Sequence, residues 1–201
     1  MQKLPQALQT VVEQLAGLPG VGRKSALRMG LVLLHWPEEK VHSLGRSIID
    51  LRRSLCLCSR CGSITDADPC SICSDPARRD DELCLVADWD ALLTVEESGY
   101  FRGKYLVLGG LLSPLDGVQS SHLDLDRLRR RLKEGNVGEV IMALGTMKES
   151  ETTESYVTGL IRSEFPGLRV SRLAQGIPVG SDLKYVDRET LKQSLSHRQE
   201  M

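Results

Sequence analysis

The sequence predicts an α/β protein in four successive parts: a helical N-terminal hairpin domain, a small cysteine-rich knuckle, an α/β layer with a mostly parallel sheet, and a short C-terminal tail. Three observations carry that reading. A Pro-Gly-Val-Gly turn at 19–22 joins two stretches of helical periodicity, two Cys-x-x-Cys pairs stand at 58–61 and 70–73, and short apolar runs alternate with helical patterns from residue 78 onward. The segments they mark are 1–53, 54–77, 78–172 and 173–201.

In the first segment, LPGVGRKSALRMGLVLL places the glycines where the backbone must turn tightly, and the amides exposed at the start of the following helix can hold a phosphate. Arg23 lies beside the turn, and Lys24 and Arg28, four residues apart, share a helix face. Leu27, Leu31 and Leu34 are expected on the opposite, packed side, with Trp36 in the core. The segment resembles a helix-hairpin-helix motif, which grips DNA phosphates without reading sequence. Residues 1–55 hold eight Lys or Arg against four Asp or Glu, although the whole chain has a net charge of −1. A plain helical hairpin with a solvated basic surface is the alternative. With 4% aromatic residues the chain offers little for stacking single-stranded bases.

The second segment carries the strongest chemical signal. Cys58, Cys61, Cys70 and Cys73 have the spacing of a four-cysteine zinc finger, in which each pair supplies two sulfurs to one tetrahedral ion. Gly62 and Pro69 bracket the loop between the pairs, and a segment this polar needs a metal to hold it. Four thiolates around Zn²⁺ leave a doubly negative centre, and Arg60, Arg78 and Arg79 are close enough in sequence to offset it. A redox dithiol would need only one pair. Cys56 and Cys84 are expected to pack rather than ligate.

In the third segment, strands are expected at 83–86, 105–108, 139–144 and 168–173. Asp124 can cap a helix presenting Leu125, Leu128 and Leu132, and Tyr156, Val157, Leu160, Ile161 and Phe165 mark the apolar face of the next. Gly135 and Gly167 stand where C-caps are expected. In the tail, LKYVD at 183–187 reads as a strand ending in an acid, with Asp187 structural.

Composition narrows the classes further. At 201 residues, 41% apolar and 26% charged, the chain reads as globular, and its longest apolar runs fall short of the roughly 20 residues that span a bilayer. The N-terminal MQKLPQALQTVVEQL lacks the apolar core and cleavage site of a signal peptide. A cytoplasmic, nucleoid-associated location away from membranes is expected, in which six cysteines serve metal binding better than disulfides.

Hairpin, four-cysteine knuckle and α/β segment occur in the order of the RecR family, and the resemblance covers nearly the whole chain. Its most specific pieces are LPGVG at 18–22, the paired cysteines, LLSPLDGV at 111–118 and GIPVGSDLKYVD at 176–187. The resemblance implies that the third segment is a Toprim domain and that the protein is a homo-oligomer, a dimer or ring-like tetramer. It further implies binding to DNA, whether gapped, single- or double-stranded, and to RecO, and in some bacteria RecF, in helping RecA replace single-strand-binding protein at gaps. On the Toprim face it singles out Asp116, in a Ser113–Gly117 stretch that composition reads as a turn, together with Glu149 and Glu151 at the family's acidic pair. The last two read equally well as acids favoured by a helix N-terminus.

The chain departs from the family where the first Toprim strand usually ends in an acid, since Ala87 stands there; Leu111 replaces the usual His, and Gly145-Thr146 the usual Asn-Pro. A recombination mediator in DNA repair without catalysis is therefore expected. The alternatives are a metal-dependent Toprim nuclease or primase, which the missing acid opposes, and a scaffold that never touches DNA. Neither a GxxxxGK[ST] phosphate loop nor a motif-borne Ser-His-Asp grouping is present.

Overall fold

The computed structural model describes residues 4–198. The chain divides into two compact units, with the division between Leu55 and Cys56. No described helix is long and apolar enough to cross a membrane.

The first unit is helical: α1 (Gln6–Ala16), α2 (Arg23–His35) and α3 (Glu38–Ser54). Pro5 and Pro37 sit at the N-caps of α1 and α3, where a missing amide costs nothing, and Glu38 and Glu39 occupy the favourable first turn of α3. Between α1 and α2, Gly20 takes φ +76°, a conformation that other residues rarely adopt. The two helices meet through small side chains. Val12, Ala26 and Gly30 are buried, and a β-carbon on Gly30 would stand 2.9 Å from Leu8 Cδ1. The expected apolar face of α2 is thus only partly right. Leu27 is half-buried, but Leu31 and Leu34 are exposed, because apolar residues outnumber the buried positions between Ala26 and Leu34 and the buried seam passes through Ala26 and Gly30. Trp36 is half-buried rather than core, with Lys40 Nζ 3.9 Å from its ring centroid.

The second unit begins with β1 (Cys56–Leu57), antiparallel to β2 (Ile64–Thr65), and the short α4 (Ser71–Ser74). There follow β3 (Glu82–Val86), α5 (Trp89–Glu97), β4 (Lys104–Val107), α6 (Leu125–Lys133), β5 (Glu139–Ala143), α7 (Lys148–Glu164), β6 (Arg169–Arg172) and α8 (Arg188–Ser196). The larger sheet has the order β4-β3-β5-β6 and is parallel throughout, with Leu85 opposite Leu106 on one side and Met142 on the other. Alternation along β3 sends Leu83 and Leu85 to one face and Cys84 and Val86 to the other. The first face packs on Leu128 and Leu132 of α6 and Val157 and Ile161 of α7; the second packs on Leu92 of α5 and Ile72 of the knuckle.

All four expected strands form within a residue or two of their predicted bounds. Asp124 caps α6 by accepting from the Arg127 amide at 3.2 Å. Gly135 and Gly167 take φ +79° and +95° beyond the ends of α6 and α7. Tyr156 is exposed, so the buried stripe of α7 runs through Thr153, Val157, Leu160 and Ile161. The tail differs from the expectation: Leu183–Tyr185 is a 3-10 turn rather than a strand, and α8 follows it. Asp182 and Asp187 decide this locally, their carboxylates accepting from the amides of Lys184 at 3.2 Å and Thr190 at 2.9 Å.

Candidate metal centre and nucleic-acid interface

The β1–β2 hairpin and the start of α4 bring the two cysteine pairs together. The turn after Cys58 is closed by hydrogen bonds from Gly62 N to Cys58 O (2.9 Å) and from Cys58 N to Ser63 O (2.8 Å). Cys70 caps α4, its sulfur accepting from the Cys73 amide at 3.4 Å, while the Cys70 amide donates to Cys58 Sγ at 3.3 Å. All four sulfurs lie within 4.8 Å of one another, and Cys61 Sγ is 3.6 Å from Cys70 Sγ. A tetrahedral ion with bonds of about 2.3 Å sets its sulfurs roughly 3.8 Å apart, so the donor set and its spacing fit one such ion. Cys58, Cys61 and Cys70 are buried and Cys73 is half-buried. The crowded sulfurs share protons unequally: a hydrogen bond with Cys73 draws the Cys61 thiol down to about 5, and the same contact drives Cys73 upward. A dication would hold all four as thiolates and release those protons. Asp68 Oδ1 accepts from the Ser59 amide at 2.7 Å, which holds its carboxyl below the usual range and fixes the loop between the pairs.

The knuckle lies against the edge strand of the sheet. Val107 N donates to Cys61 O at 2.8 Å, and Lys104 Nζ donates to the carbonyls of Ile72, Cys73 and Asp75 at 3.0, 3.1 and 2.8 Å. From α6, Arg127 Nε reaches Ser59 O at 3.3 Å. The arginines expected to offset the thiolates are engaged elsewhere. Arg60 pairs with Glu134 at 2.9 Å, Arg78 with Glu96, and Arg79 with Asp81 at 2.9 Å and Glu82 at 3.1 Å. Two cations from farther along the chain reach the knuckle instead: Arg127, which is paired with Asp124, and Lys104, which pairs with no carboxylate among the described residues. The signal of Lys104 in the sequence is a lysine opening an otherwise apolar strand run, KYLVL. Of the two remaining cysteines, Cys84 is buried as expected, its thiol pushed up to about 12 by burial, whereas Cys56 is exposed and does not pack.

In the helical unit, Gly22 is the N-cap of α2 and supplies no side chain to its first amides. Arg23, Lys24 and Arg28 are exposed there and enter no ion pair among the described residues. The Toprim-face candidates are not brought together in one metal-holding group. Asp116 ends a 3-10 turn, Pro114–Asp116, and accepts from Ser113 Oγ at 2.5 Å. Glu149 and Glu151 lie in the first turn of α7. Glu151, but not Glu149 or Asp116, lines a cleft of about 810 Å³ at the carboxyl ends of β3, β5 and β6. Among the described residues, the four cysteines are the only group of His, Cys, Asp or Glu positioned to hold a metal.

A helical hairpin, a four-cysteine metal knuckle and a parallel sheet flanked by helices define a helix-hairpin-helix, zinc-finger and Toprim protein. Comparison with known families agrees part by part: residues 2–51 match the RecR helix-hairpin-helix, 55–75 the RecR four-cysteine zinc finger domain, 81–174 the Toprim domain and 176–199 the RecR C-terminal family. The chain is 55% identical to the Recombination protein RecR of Nitratidesulfovibrio vulgaris and 56% identical to that of Maridesulfovibrio salexigens, over 100% of each chain. It is 43% identical to that of Pelotomaculum thermopropionicum, over 95% of this chain and 94% of the relative. The chain belongs to the RecR family.

Proposed function

We propose that the protein is a DNA-binding mediator of recombination repair in the cytoplasm, holding zinc at Cys58, Cys61, Cys70 and Cys73 and acting without catalysis of its own. The observation that carries DNA binding is the group of exposed, unpaired cations Arg23, Lys24 and Arg28 at the N-terminus of α2, whose first amides are uncapped. Phosphate suits both features: the amides donate to an anion and the side chains neutralise it. Zinc fits the all-thiolate tetrahedral donor set, which leaves no open coordination position for chemistry. Family membership supports assembly into a homo-oligomer and action with RecO, and RecF where present, in loading RecA on gapped DNA. Asp116, Glu149 and Glu151 are then interface residues rather than metal ligands, a reading supported by their forming no metal-holding group among the described residues and by Ala87, not an acid, just after β3. Titrating gapped DNA against wild-type protein and a Lys24→Ala, Arg28→Ala variant over a range of salt tests the proposal. Unchanged affinity in the variant would leave the hairpin structural only.

A further inference from the structure

We propose that Lys104 is the internal countercation of the four-cysteine centre, a positioning residue through which the sheet sets how tightly the metal is held. This rests on the reading that the centre takes zinc. Lys104 opens β4, an edge strand, yet it is only 4% exposed. Its three protons are matched by three carbonyl oxygens, those of Ile72, Cys73 and Asp75. None of these carries a charge. Among the described residues no carboxylate pairs with Lys104, and the carboxylate of Asp75 faces Arg78 at 3.6 Å and accepts from the Ala77 amide at 2.8 Å. A buried cation without an anion is costly, so a compensating negative charge is needed nearby. The doubly negative metal-thiolate group supplies it, since Arg60, Arg78, Arg79 and Arg127 are committed to carboxylates of their own.

The backbone geometry points the same way. Along β4, Lys104 grips the carbonyl of Cys73, from the second cysteine pair, and Val107, three residues on, grips that of Cys61, from the first. One strand thus holds both halves of the centre, and Lys104 fixes Cys73, the least buried of the four ligand residues. Partners of this kind, beyond the ligands themselves, orient the ligands and change metal affinity by about 10- to 100-fold.

The test is zinc affinity of the full-length protein, measured by competition with a chromophoric chelator. Lys104→Met, similar in length but uncharged, should bind zinc about 10- to 100-fold more weakly, and Lys104→Arg should recover most of the loss. Melting at saturating zinc, measured alongside, separates this from a general packing defect, which would lower the melting temperature without moving the affinity. Equal affinities for Lys104→Met and wild type overturn the proposal. Should Lys104→Met fail to fold, wild-type protein decides through amine acylation read by mass spectrometry. Lys104 should be protected with zinc bound and become reactive once the metal is chelated, and persistent protection overturns the coupling. A wild-type protein that takes up no zinc would instead refute the underlying zinc reading.

Discussion

Arg127 lies directly over the backbone of Gly62, so that a β-carbon added to the glycine would collide with the guanidinium and stand 3.4 Å from the carbonyl oxygen of Val107. The glycine, at φ +76°, turns the chain between Cys61 and β2, and Arg127 is held above it by Asp124 and by Ser59 O.

Gly62→Ala should therefore be destabilising for two reasons. The left-handed backbone costs a side chain about 1–2 kcal/mol, and displacing Arg127 adds to that. In a unit of this size each kcal/mol lowers the melting temperature by roughly 2–4 °C, which scanning calorimetry of the zinc-loaded protein would detect. An unchanged melting temperature would mean that the turn can rearrange freely.

Replacing Cys61 or Cys70 by Ser should abolish stoichiometric zinc and destabilise the knuckle, because both sulfurs are buried and a hydroxyl is a poor substitute for a thiolate ligand. Elemental analysis of the wild type should give one zinc per chain. Correctly folded wild-type protein without metal would contradict this.

Asp187 caps α8, its carboxylate accepting from Thr190 N at 2.9 Å and Thr190 Oγ1 at 2.7 Å, and the amide contact holds its carboxyl below the usual range. Because the folded value is depressed, the cap contributes above the unfolded value of about 3.9 and is lost as pH falls through the lowered one. Asp187→Ala should speed amide exchange in the first turn of α8 at neutral pH by a few-fold, with the difference from wild type vanishing in acid. Equal exchange at neutral pH would show that the cap does not hold the helix.

Removing the charges of Lys24 and Arg28 should weaken DNA binding equally on unrelated sequences, since phosphate contacts carry no base information. The log–log slope of affinity against salt should flatten by roughly 0.7 to 0.9 for each phosphate that is no longer neutralised. Zinc content should be unchanged. Weakening confined to one DNA sequence would point to base readout instead.

Much of the fold was legible because its determinants are local. The strand runs around Leu83, Tyr105, Val140 and Val170 are short, apolar and separated by helical patterns, and the cap at Asp124 acts within three residues of itself. LKYVD was misleading for the same reason: its apolar residues suit a strand, but the flanking aspartates accept from their own following amides, which sets a 3-10 turn and a helix N-terminus instead. In α2 an excess of leucines hid the buried seam, which depends on where Leu8 of α1 comes to rest over Gly30.

By itself the sequence determined the four metal-binding sulfurs, the basic turn at Arg23, Lys24 and Arg28, and the parallel sheet, since each is written in spacings of a few residues. Only the tertiary structure decided which charges meet. Arg60, Arg78 and Arg79, near the cysteines in sequence, fold onto carboxylates, while Lys104, 31 residues beyond Cys73, arrives at the knuckle on the edge strand. Charge pairing acts through space, and sequence separation measures distance only along the chain. A strand that pairs with β3 on one side and covers the knuckle on the other brings its lysine to the metal centre by sheet register alone.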